Sequence, residues 1–136
     1  MKSLFPENIM SSGELSLDII KAKLHYFELQ LHELHWQTQS LAEHLCLGDG
    51  YELVFNIKDE IVEKIMGYTG VRTKAILIDP IKNYSPGMPN VVISELMEFA
   101  KNLERFGMMN SMPDIENIAQ SLSGDAGKLK YRLTLS

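Results

Sequence analysis

Apolar residues recur at steps of three and four along most of the chain. Ile20, Leu24, Phe27, Leu31 and Leu34 form the first such stripe, the signature of a helix with one buried face. The pattern predicts a helix from about Ser11 or Gly13 to about Thr38, with Ser11 and Glu14 at capping-box spacing. A second helix starts at Ser40, where Ser40-Leu41-Ala42-Glu43 repeats that spacing. It runs through Gly48 and Gly50 to about Gly67 or Gly70, with Val54, Ile57, Ile61, Ile65 and Tyr68 as its stripe. A third is expected from Asn90, a good N-cap, to Gly107, carrying Val92, Leu96, Phe99, Leu103 and Phe106. The fourth restarts at Ser111-Met112-Pro113-Asp114 with Pro113 in the first helical position. It carries Ile115, Ile118, Leu122, Ala126, Leu129 and Leu133, and its Gly124 and Gly127 either weaken it or allow close packing.

The connections sort the topology. About 71–90 holds Asp79-Pro80, Ser85-Pro86-Gly87 and Pro89, which excludes a long helix there. Such a connection is long for a bundle but long enough to travel the length of a helix. Short loop, long crossover, short loop predicts an all-α, ferritin-like four-helix bundle with one crossover. Residues 1–136 then make a single domain, with about 1–12 as an N-terminal tail.

Helices one and two each carry a second apolar line. On the first it is Ala22, Leu29 and Trp36; on the second, Phe55, Val62 and Met66. Asp59 and Glu63, four apart, share a helix face that lies nearly opposite the Val54–Ile65 stripe and accompany this second line. An exposed patch of that size marks a partner surface, so these two helices are expected to pack against another subunit.

Charge narrows the partners. The net charge is −5 and the pI near 5.3, against unaided nucleic-acid binding, which needs clustered Lys and Arg. The basic Lys128-Leu129-Lys130-Tyr131-Arg132 reads as a helix end complementing its dipole. The single Cys46 allows no intrachain disulfide and fits a reducing compartment. No signal-type or membrane-length apolar run occurs. A cytoplasmic protein is expected.

All four histidines, His25, His32, His35 and His44, fall between residues 25 and 44. Imidazole with carboxylate makes a mixed nitrogen–oxygen donor set that suits iron, manganese or zinc better than calcium. Each residue alone has an ordinary reading. Asp59 and Glu63 could be solvated or paired to Lys58 or Lys64, His35 hydrogen-bonded in place, and His25 and His32 surface or interface groups. Two histidines around a short turn, followed by Asp-x-x-x-Glu on the next helix, are together less casual.

His35-Trp36, His44, Asp59-Glu60-Ile61-Val62-Glu63-Lys64 and Gly70 resemble the ferroxidase segment of the Dps mini-ferritins, the DNA-binding proteins from starved cells. The resemblance covers about residues 20 to 70; the rest agrees in layout only. The chain also resembles short Dps-related proteins of tailed phages. The resemblance implies a hollow homo-oligomer, a dodecamer, that oxidises Fe(II) with peroxide or oxygen and stores the ferric product. It implies a metal site of His35 and His44 from one subunit and Asp59 and Glu63 from its two-fold mate, with zinc and manganese as competing ions. Glu52 and Glu60 would support the site and Trp36 would pack beside it. Three departures stand out. Gly48 occupies the place of a family aspartate, with Asp49 one step on; the turn between the histidines is short; and the lysine-rich tail of DNA-binding members is missing. The competing expectation is a ferritin-fold structural or interaction protein that has lost the oxidase.

Overall fold

The structure, a computed structural model, describes residues 15–135. Within them the chain forms four helices and no strand: α1 Leu17–Gln37, α2 Leu41–Thr69, α3 Met88–Met109 and α4 Pro113–Leu133. Ser16 caps α1 through the amide of Ile19, and Ser40 caps α2 through that of Glu43. The expected Ser11–Glu14 cap lies outside the described residues. At the other end of α2, Gly70 takes a left-handed conformation (φ 71°) and its amide bonds to Met66, the usual device for stopping a helix.

The third helix starts earlier than its sequence pattern suggests. Asn90 is not the cap. Gly87 (φ 84°) turns the chain, Pro89 sits in the first turn, and the helix runs past Gly107 to Met109. Proline lacks only an amide that the first turn leaves unpaired anyway. Gly107 is held inside the helix because the backbone of α4 closes on it. A Cβ there would lie 2.7 Å from the Glu116 amide nitrogen.

Ile20, Leu24, Leu31, Leu34, Ile61, Ile65, Leu96, Leu103, Ile115 and Leu122 are almost wholly buried and form one core. The stripe on α2 ends sooner than expected, since Tyr68 is exposed. Gly50 admits Leu129, Leu31 and Ile93 close to its Cα. Gly124, by contrast, faces open space, so close packing is not its role.

Residues 70–87 run along α1 in the direction of α1. Asp18 accepts from the Lys74 amide and the Thr73 hydroxyl, Lys21 donates to the Lys74 carbonyl, and Lys23 pairs with Asp79. The fully buried Gln30 exchanges two hydrogen bonds with the Lys82 backbone, and Gln37 accepts from the Tyr84 amide. These side chains satisfy the backbone of a segment that has no ladder of its own. The crossover therefore delivers α3 to the far end of α1. Phe27 on Phe99, Cys46 on Leu129 and Lys64 on Asp114 show α3 running back along α1 and α4 back along α2. Adjacent helices are antiparallel, and the outer faces of α1 and α2 are left uncovered. Among the described residues no helix is long and apolar enough to cross a membrane.

Candidate metal-binding site

The α1–α2 turn is three residues long and tightly fixed. Glu43 accepts from the Thr38 hydroxyl at 2.6 Å and from the Tyr84 hydroxyl at 2.8 Å. That second bond keeps the Tyr84 phenol protonated, its pKa pushed up first by the hydrogen bond to the Glu43 carboxylate. The turn brings His35, in the last turn of α1, against His44, in the first of α2. Their rings stack with centroids 3.8 Å apart and planes 18° from parallel. Nδ1 of His35 lies 2.7 Å from the His44 carbonyl, and Nδ1 of His44 lies 2.9 Å from the His35 carbonyl. A carbonyl oxygen only accepts, so each Nδ1 carries the hydrogen and Nε2 is the nitrogen left without a backbone partner. A metal-binding histidine is oriented in the same way, with one nitrogen donating and the other free to ligate.

Gly48 has a definite job here. A Cβ at this position would meet His35 Cε1 at 3.0 Å and Nδ1 at 3.1 Å. An aspartate at 48 would set its Cβ against the His35 ring, closer than ordinary van der Waals contact. Asp49 is engaged elsewhere, with Arg132 of α4 at 2.6 Å. Among the described residues no carboxylate therefore joins the two histidines in a three-ligand group.

Asp59 and Glu63 are exposed on α2 and have no side-chain hydrogen bond or ion pair among the described residues. Neither nearby lysine takes them. Lys58 turns inward to Glu28 at 2.5 Å and to Nδ1 of His25 at 3.2 Å, while Lys64 serves Glu60 and Asp114. His44 and Asp59 lie on one helix fifteen residues apart, about 22 Å along its axis. The structure therefore brings His35 to His44, and Asp59 beside Glu63, but does not bring the two pairs together within a chain. Accordingly, no group of three potential ligands occurs among the described residues.

Two features beside the site, the settings of His32 and His25, had no local signal in the sequence. His32 is sandwiched between Trp36 and Tyr51, with ring centroids 3.8 Å from each. Trp36 therefore packs on His32 rather than on His35. The imidazole pKa of His32 is lowered, first by burial and then by His35. His25 is likewise pushed down by burial and by the Lys58 ammonium. Around them Leu29, Trp36, Leu41, Leu45 and Phe55 remain exposed.

Compared with protein-family models, with curated proteins and with solved structures, the chain finds no match.

Proposed function

We propose that this chain is a Dps-like, ferritin-fold iron-binding protein whose metal site is completed by a second copy. The observation that carries the reading is the split donor set. Two imidazoles have their Nδ1–H groups committed to backbone carbonyls and Nε2 free, while Asp59 and Glu63 stand exposed and unpartnered a few turns away. The chain's own contribution is to orient the two imidazoles through their Nδ1 bonds and to supply two hard oxygens. Iron would be the redox-active cargo, oxidised by peroxide or oxygen. With Gly48 at the aspartate position and Asp49 tied to Arg132, the site takes one ion, and oxidation is slower than in relatives with a further carboxylate. The same two residues favour the second reading, a bundle that serves as a structural or interaction protein without the oxidase.

Complementation tests the proposal. Anaerobic Fe(II) titration should show binding in the wild type and loss in both a His35→Ala, His44→Ala variant and an Asp59→Ala, Glu63→Ala variant. Mixing the two variants under subunit exchange should restore about a quarter of the sites, because each mixed isologous pair contains one intact site of two. Equal metal content in all samples would support the structural reading instead.

A further inference from the structure

A cleft of about 540 Å³ opens between α1, α3 and the crossover, a volume that suits a small molecule. Its floor is aromatic. Tyr26 lies edge-on to Phe27, and Phe27 packs on Phe99, with ring centroids 5.2 and 5.6 Å apart. Asn102 lines one end. It is 9% exposed, and its Oδ1 accepts from Arg105 at 2.9 Å. Its Nδ2 carries two hydrogens and has no partner among the described residues. A buried donor left unpaired costs free energy, so an acceptor in the cleft gains from meeting it. Lys23 lines the same end: α1 and α3 are antiparallel with Phe27 against Phe99, so the residue one turn before Phe27 falls beside the one nearly a turn after Phe99. The Lys23 ammonium gives one hydrogen to Asp79 at 3.2 Å and keeps two. An amide nitrogen and an ammonium together suit a carboxylate.

The other end has the opposite character. Glu95 and Glu98 line the cleft, are exposed, and have no side-chain partner among the described residues. Lys82 of the crossover also lines it and pairs with neither. The Tyr26 phenol is pushed above its ordinary pKa by burial and then by the carboxylates of Glu95 and Asp79, so the ring lies in a negative field. Carboxylates beside an aromatic face suit an organic cation. Glu95 and Asn102 lie on one line of α3, two turns and about 10 Å apart. A hydrogen bond of about 3 Å at each end still leaves a chain of several bonds between the ligand's two charges. Glu98, one turn before Asn102, stands where a second cation would adjoin the carboxylate. We infer that the cleft binds a free basic amino acid, with its carboxylate on Asn102 and Lys23, its α-ammonium on Glu98 and its side-chain cation on Glu95 and Tyr26. This site shares no residue with the one built on His35 and His44.

Calorimetric titration of the metal-free protein with arginine tests the inference against three analogues. Agmatine lacks the carboxylate, norleucine lacks the side-chain cation, and desamino-arginine lacks the α-ammonium. Arginine should bind saturably with a Kd of about 1 mM or tighter, and each analogue about threefold or more weakly. Asn102→Ala should weaken arginine about tenfold and leave agmatine unchanged, because agmatine has nothing for the amide to hold. Glu98→Gln should weaken arginine about threefold and leave desamino-arginine unchanged. Glu98 is exposed and without a side-chain partner among the described residues, so this variant keeps the fold even where the buried Asn102→Ala does not. Absence of saturable arginine binding, or binding that Glu98→Gln and Glu95→Gln both leave unaltered, would overturn the inference. Agmatine binding as tightly as arginine would overturn it as well, since the cleft would then be a site for amines.

Discussion

Gly48→Ala separates a helix that tolerates glycine from a site that requires it. Glycine inside a helix costs about 1 kcal/mol relative to alanine. At Gly124, with nothing within 4 Å of an added Cβ, alanine should recover that amount, raising Tm by roughly 3–5 °C in a domain of this size. Gly48 offers the same gain in propensity, but its new methyl would stand 3.0 Å from His35 Cε1 and 3.1 Å from Nδ1. The ring must move, and Nδ1 donates the 2.7 Å bond to the His44 carbonyl. Loss of a hydrogen bond of this kind costs about 0.5–1.5 kcal/mol, so the two effects nearly cancel in stability. They do not cancel at the metal. A ligand whose orienting hydrogen bond is broken typically loses about 10–100-fold in affinity. Thermal melts of the metal-free protein and metal titrations of Gly48→Ala, Gly124→Ala and wild type measure both quantities. If Gly48→Ala is stabilised as much as Gly124→Ala and binds metal as well as wild type, His35 is not held as described.

Removing metal with a chelator should shift the sedimenting species towards smaller mass, and restoring Fe(II) or Zn(II) anaerobically should reverse the shift; an unchanged mass would separate assembly from metal. Acid should destabilise the metal-free fold between about pH 7 and 5. His25 and His32 have lowered pKa values in the fold, so the unfolded chain binds more protons there, and stability present above the ordinary imidazole value is lost as pH falls through it. His25→Asn should flatten this limb in pH-dependent melts, since it removes one of the two groups. In a gel-shift assay at about 150 mM salt, duplex DNA should not be retarded by micromolar protein, because a strongly acidic chain has few counterions to release.

Periodicity made the helices legible because a buried stripe on a helix is a local pattern, and Ser40, Gly70 and Pro113 mark their ends through equally local capping chemistry. The start of α3 was misread because Asn90 has the chemistry of a cap, yet Gly87 has the backbone freedom that the turn out of the crossover demands. Histidines 35 and 44 could be singled out by their position around a short turn. Their mutual stacking could not, because it depends on how tightly Glu43, Thr38 and Tyr84 close that turn, and Tyr84 arrives from forty residues away. Asp49 shows the same limit. Beside Gly48 it looks like a displaced ligand, and only the antiparallel packing of α4 on α2 reveals Arg132 as its partner.

The carboxylates of α2 divide by direction. Glu43 and Asp49 have partners on the rest of the chain, and Glu60 pairs with Lys64 one turn along α2. Glu52, Asp59 and Glu63 face outward, and both lysines near the last two are drawn inward, Lys58 to Glu28 and Lys64 to Glu60 and Asp114. The outward face of α2 thus carries three acids, several exposed apolar side chains and no cation of its own. Apolar area favours covering it with a second copy, whereas desolvating uncompensated carboxylates opposes that. In the composite site proposed above, a divalent ion would resolve the conflict, since imidazole ligands would leave its charge to be balanced by Asp59 and Glu63. Imidazoles oriented by their Nδ1 bonds would then matter to such an interface as much as the carboxylates. Protonating them would remove the ligands and leave each copy holding only half of a site.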